Sequence, residues 1–308
     1  MKSPEGRYAL KAKFQAQNFN LTQIFRRSDY SGHKILERVY MKNKNFDLYE
    51  FFRTDRNRDF YNIDGLTDVC LTTDIDWAPD YANEFVFDVV ASHGYEITAF
   101  ATHDSPLLRR PPAHVEIGLH PDNTRPDPAR GVRDKISALK DLYPEAVGLR
   151  CHRNFFGQNI ADFADRSGLR YDVSNILWNQ PFCLSHIDYN GMVRFSYMWE
   201  DGIHCDQKVP FDISEINLDS PGLKILNVHP ILIYLNAPND DYRREVTKRY
   251  SDLASAPKGE IDSDVFKGYG IASFWKDLLA HLKSRGVRVH KLAHLADVKL
   301  GHRAPKNG

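Results

Sequence analysis

From residue 67 onward the chain alternates short apolar runs with longer segments of helical period. Asp68–Thr73 (DVCLTT) reads as a buried strand, and Tyr81–Gly94 as a helix whose apolar Phe85, Val86, Val89 and Val90 precede a closing Gly94. Tyr95–Thr102 (YEITAFAT) and Ala113–His120 (AHVEIGLH) are the next strands. A helix falls within Asp127–Glu145, a strand in Ala146–His152 (AVGLRCH), a short helix in Gln158–Gly168 and a strand in Leu169–Ser174 (LRYDVS). Gly222–Asn236 (GLKILNVHPILIYLN) contains a late strand, Gly270–Gly286 is an amphipathic helix, and Val287–Val298 closes the series. Strands alternating with helices predict βαβ units, hence an α/β fold with a parallel sheet. Residues 1–65 are polar and aromatic without clean periodicity, so they are set apart as an N-terminal extension packed on a domain of residues 66–308.

Polar residues gather where these strands stop. Asp74 and Asp76, His103, His120, Arg150 and His152, Asp172 and His229 each fall at or just past the C-terminal end of a predicted strand. That edge is where α/β barrels collect their reactive groups, because the loops there share one mouth. Asp74 and Asp76 have the same strand parity and so leave the same face. Two like charges there need a metal or an arginine between them. Taken alone they are ordinary turn or capping residues, as Asp80 after Pro79 is for the helix that follows. One carboxylate and two imidazoles make a site for Zn²⁺ or a similar divalent ion, a second carboxylate can act as base, and a further His can protonate a leaving group.

Composition removes other classes. Lys plus Arg and Asp plus Glu both number 41, so no overall basic charge argues for nucleic acid or an anionic membrane surface. No apolar run approaches the about twenty residues of a membrane span. The start, MKSPEGRYALKAKF, has no apolar signal segment, and a cytoplasmic location is expected. Cys70, Cys151, Cys183 and Cys205 form no C-x-x-C pair, which speaks against a disulfide framework or thiolate zinc site. Gly268–Ser273 (GYGIAS) lacks the phosphate-loop pattern and reads as a helix start, and no G-x-S-x-G elbow occurs.

TTDIDWAPD, HVEIGLHPDN, GLRCHRNFFG, RYDVS, FSYMWEDGIH and LNVHPILIYLN occur in this order. Together they resemble the motif series of the polysaccharide deacetylases, the NodB-like carbohydrate esterases of family 4, and most of all their WbmS-like branch, associated with bacterial surface-polysaccharide synthesis. The resemblance covers roughly residues 67–295 and implies a distorted (β/α) barrel of about seven strands. It implies Asp74 as general base, Asp76 and His120 as metal ligands, Arg150 as the arginine that orients the base, and His229 as catalytic acid. Asp201 is then the carboxylate that orients His229, with Trp199 as a pocket wall. One position departs from the pattern: the second metal His, four residues after His120, is Thr124, a poor zinc ligand. His152 is expected to replace it, since it shares the strand parity of Arg150, with Asp122 and Asn123 as the other candidates and as substrate-binding residues. The expected activity is metal-dependent removal of an acetyl or formyl group from an amino sugar or glycan precursor. The rival is a metal-free pseudoenzyme that binds glycan or acts as a scaffold.

Overall fold

β1 (Asp68–Asp74) is buried at every position but its first, as are all residues of β2 (Ile97–Ala101) and β9 (Lys224–Val228). Continuous burial of this kind belongs to parallel strands covered on both faces. The computed structural model describes residues 68–124, 131–220 and 222–301, and the expected N-terminal extension over residues 1–65 lies outside them.

Between β1 and β2 runs α1 (Asp80–Ser92), and after β2 come α2 (Pro106–Arg109), β3 (Val115–Leu119) and α3 (Val132–Leu142). Next are β4 (Gly148–Leu149), α4 (Gln158–Arg166), β5 (Tyr171–Asp172), β6 (Ser185–Ile187), β7 (Val193–Phe195), β8 (Trp199–Glu200) and α5 (Asp201–Asp206). The chain ends with β9, α6 (Pro230–Tyr234), α7 (Asp240–Thr247), α8 (Lys258–Ser263), α9 (Ile271–Ser284), β10 (Arg288–Val289) and α10 (Leu292–Gly301). One curled sheet runs in the order β6-β7-β5-β4-β3-β2-β1-β9-β8, with β10 pairing the start of β1. Every pairing is parallel except the β6–β7 hairpin. This curled, mostly parallel sheet is the distorted barrel that the alternating pattern and the motif series lead one to expect.

Several expected strands are short. The runs read over 146–152 and 169–174 each yield two paired residues, Gly148–Leu149 and Tyr171–Asp172, and the Arg150 and Val173 amides make the last bonds to the neighbouring strands, at 2.9 Å each. Asp80 does not cap α1, whose N-cap is Pro79; its carboxylate accepts from Ser105 Oγ and the Leu107 amide, tying α1 to α2.

Register sets the level of the site. Asn227 of β9 pairs with Thr72 of β1, Phe100 of β2 with Asp74, and Glu200 of β8 with Asn227. Behind β8, Trp199 is 1% exposed and stacks on Trp275 of α9 at 6.2 Å between ring centroids, while its indole N–H donates to His204 Nδ1 at 3.1 Å. Trp199→Ala is expected to lower stability by about 3–5 kcal/mol. Urea unfolding should show this as a lower midpoint at unchanged slope; an unmoved midpoint contradicts the core assignment.

Candidate active site

β1 stops at Asp74, and the next turn winds Asp76 and Trp77 into left-handed backbone, at φ 42° and 59°. Bulky non-glycine residues are rare there and cost about 1–3 kcal/mol each. Trp77 N–H is anchored on Thr102 Oγ1 at 3.1 Å. Asp76 therefore reaches the mouth through a strained turn, and not by the strand parity expected of it. His120 follows β3 directly, its N–H donating to the Ala101 carbonyl at 2.8 Å. His152 also leaves its strand early and sits in a single 3₁₀ turn, His152–Asn154, again with a left-handed pair, Arg153 and Asn154 at φ 54° and 55°. Here too the turn, not strand parity, aims the ring.

The three side chains meet. His120 Nε2 lies 3.3 Å from Asp76 Oδ1, His152 Nδ1 3.2 Å from the same oxygen, and the two ring nitrogens 3.3 Å apart. A tetrahedral ion with ligand bonds of about 2.0–2.1 Å has donor–donor edges of about 3.3–3.4 Å, so this triangle fits one face of such a site. The tautomer fits as well. His120 Nδ1 is 2.7 Å from the Arg150 carbonyl, which can only accept, so Nδ1 carries a proton, and the neutral ring, the form a metal takes, presents its lone pair at Nε2. Burial works against charge on Asp76, but when the facing nitrogens of His120 and His152 carry protons their hydrogen bonds bring its carboxyl well below the ordinary range.

Asp74 stands beside this triangle and is held apart from it. Arg150 Nη1 donates to Asp74 Oδ1 at 3.0 Å, and Asn227 Nδ2 donates to Oδ2 at 3.0 Å. Asn227 Oδ1 in turn accepts from Arg150 Nη1 and from Thr72 Oγ1, at 2.5 and 2.8 Å. The buried guanidinium lies between the Phe100 and Tyr197 rings, 4.6 and 4.4 Å from their centroids. Burial raises the Asp74 pKa, and Arg150, followed by His120 and His229, overcomes it, so the carboxyl titrates below its usual value. Asn227 was not singled out from the sequence, although in LNVHP it shares strand parity with His229.

Across the mouth, Asp201 grips His229 twice. Oδ1 is 2.6 Å from ring Nδ1 and Oδ2 accepts the backbone N–H at 2.8 Å. Burial disfavours a charged ring, but the Asp201 carboxylate more than offsets it and holds the His229 pKa well above the ordinary value. Nδ1–H then faces Asp201, and Nε2 points inward, 3.8 Å from Asp76 Oδ2.

These groups open into one cleft of about 450 Å³, also lined by Trp77, Arg153, Asn154, Tyr197 and Glu200. Trp199 is not part of it: strand alternation turns Glu200 to the cleft and Trp199 to the helices behind. The aromatic residues on the cleft are Trp77, whose ring meets His152 edge-on at 5.3 Å, and Tyr197. Asp122 and Asn123 also lie off the lining and outside the ligand triangle. Asp122 Oδ1 accepts from the Thr124 N–H and hydroxyl at 3.0 and 2.6 Å, a local turn, and Asn123 Nδ2 contacts Cys151 Sγ. Asp172 is buried against Arg194, 2.9 Å from its Nε.

The family model of the WbmS-like polysaccharide deacetylases matches residues 71–246. Among solved structures, a Bordetella bronchiseptica protein assigned to the polysaccharide deacetylases and to O-antigen biosynthesis superposes with TM-score 0.63 at 26% identity, over 69% of this chain and 90% of that one. The Bc1960 peptidoglycan N-acetylglucosamine deacetylase matches 76% of this chain and 89% of its own at 13% identity and TM-score 0.44. A family 4 carbohydrate esterase from Bacillus anthracis matches 75% and 83% at 13% identity and TM-score 0.35. No curated protein sequence matches the chain. With the family model spanning more than half of its residues, the chain belongs to the WbmS-like polysaccharide deacetylases.

Proposed function

We propose that this protein hydrolyses the N-acyl group, acetyl or formyl, of an amino sugar used in bacterial surface-polysaccharide synthesis, with a divalent ion such as Zn²⁺ held by Asp76, His120 and His152. The observation that carries the reading is that triangle of potential ligand atoms at 3.2–3.3 Å, flanked by one fixed carboxylate and one carboxylate-paired histidine. Support for the substrate class comes from family membership and from the O-antigen assignment of the Bordetella relative. The metal-free glycan-binding alternative drew on Thr124; the His152 imidazole beside Asp76 and His120 supports the metal-dependent reading over it.

When bound, the ion supplies Lewis-acid polarisation of the amide carbonyl and a lowered pKa for attacking water. Asp74 keeps free lone pairs beyond its bonds to Arg150 and Asn227 and takes the water proton as the water oxygen bonds to the carbonyl carbon. Arg150 and Asn227 keep that carboxylate from turning onto the ion as a fourth ligand. His229 starts protonated, with Nδ1–H on Asp201, and gives its Nε2 proton to the sugar nitrogen as the C–N bond breaks and its electron pair leaves with nitrogen. The products are a carboxylic acid and a free amino sugar.

Asp74→Asn is expected to lower kcat by about 10²–10⁴-fold while metal content, read by elemental mass spectrometry, stays at the wild-type ratio. Acetate and formate release from a panel of N-acyl amino sugars is the assay; wild-type protein that binds no ion and is inert with added Zn²⁺ overturns the proposal. The second test is pH dependence. His229 acts in its protonated form, and Asp201 is what raises its pKa. In Asp201→Asn that support is gone, so the alkaline limb of the kcat profile should move to lower pH, with a larger loss at pH 8 than at pH 6.

A further inference from the structure

The ion triangle and its acid and base account for the floor of the cleft, but not for its outer wall. There, α7 supplies Asp240, Arg243 and Arg244, α5 ends in Asp206, and the His152 turn supplies Arg153. Asp240 accepts from Arg243 Nε and Arg244 Nε at 2.6 and 2.5 Å, and Arg244 Nη2 also reaches Asp206 at 3.2 Å. Two carboxylates thus balance two arginines. Arg153 is exposed, lines the same cleft, and has no carboxylate partner among the described residues.

Its placement is also costly. Arg153 and Asn154 are both left-handed, a conformation that costs about 1–3 kcal/mol at a non-glycine residue. The turn is held by Asn154 N–H on the Cys151 carbonyl at 2.9 Å and by Asn154 Nδ2 on Tyr197 OH at 2.9 Å. The same turn that delivers His152 to the ligand triangle therefore delivers the next side chain, an unpaired guanidinium, to the mouth. Guanidinium matches phosphate and carboxylate oxygens with two parallel N–H donors.

Resting on the deacylase reading above, we infer that the substrate carries an anionic group, which Arg153 binds at the mouth while the N-acyl group lies at Asp76, His120 and His152. Two sources share this chemistry: a phosphate or diphosphate on the anomeric carbon, as in an activated precursor, and the carboxylate of a uronic acid. Arg243, on the same cleft, is already paired with Asp240 through Nε, so Arg153 is the guanidinium the inference rests on.

Binding and turnover test this separately. Calorimetric titration of the Zn²⁺-loaded protein with methyl glucoside, glucose 1-phosphate and methyl glucuronide, none of which has an amide to cleave, reads the anion alone. We expect at least one anionic probe to bind about 10- to 100-fold tighter than the neutral one, and Arg153→Gln to abolish that difference. Glucose 1-phosphate alone gaining affinity assigns the phosphate source, and the glucuronide alone assigns the uronate. Because phosphate also meets the ion directly, the Arg153→Gln difference, not the wild-type affinity, is decisive. Arg153→Gly is the second variant: glycine adopts φ near +54° without strain, so His152 and metal content are kept if substitution at 153 disturbs the turn. In turnover, the kcat/KM ratio for N-acetylglucosamine 1-phosphate or N-acetylglucosaminuronate over N-acetylglucosamine should collapse in both variants, through KM and not kcat. Equal binding of neutral and anionic probes, or an anionic preference that survives in both variants, overturns the inference. Loss of all amide cleavage with the Arg153-dependent binding intact strikes the deacylase reading instead.

Discussion

The buried pair of Arg150 and Asp74 is the interaction on which the site depends. A carboxylate placed this deep without a cation would take up a proton and lose its value as a base. Arg150 prevents that, and the cost of burying the guanidinium is met in turn by Val173 O, Thr72 Oγ1, Asn227 Oδ1 and two aromatic faces. Nη2 is buried and finds no hydrogen-bond partner among the described residues. Removing one member of such a pair costs about 3–5 kcal/mol, since the other is left buried and uncompensated. Strand register makes the arrangement unavoidable once the sheet forms: Thr72 and Asn227 are cross-strand partners, and so are Asp74 and Phe100.

The long strands and helices were legible because their burial follows from apolar period alone. β1, α1, β2, β3, β9 and α9 fall within a few residues of the segments read from the chain. The β6–β7 hairpin was missed, although Asn190–Gly191 is a turn signal and Gly191 takes φ 97° there. β4 and β5 are too short for periodicity to delimit, each being followed at once by a residue whose side chain or backbone serves the site.

The site residues were named from motif order, and the structure brings Asp74, Asp76, His120, His152 and His229 to one mouth, with Arg150 and Asp201 buried behind Asp74 and His229. The reasoning from strand parity did not carry Asp76 or His152 there, because left-handed turns intervene and no pattern of apolar and polar residues encodes them. Parity did hold the answer for Trp199, whose neighbour Glu200 faces the cleft. Asn227 and Arg153 were passed over for a plainer reason: asparagine and arginine are common in strands and loops, and only register and charge pairing reveal what these two do.

Two of the three ligands of the proposed ion stand in wound-back turns, and each has a lip residue as its immediate neighbour: Trp77 after Asp76, and Arg153 after His152. His120, at a strand end, is the fixed post. An ion held as proposed by all three would close a clasp across segments 76 residues apart in the chain. Such a clasp would join the floor of the cleft to its rim, so that filling the centre would also fix the residues that shape the entrance.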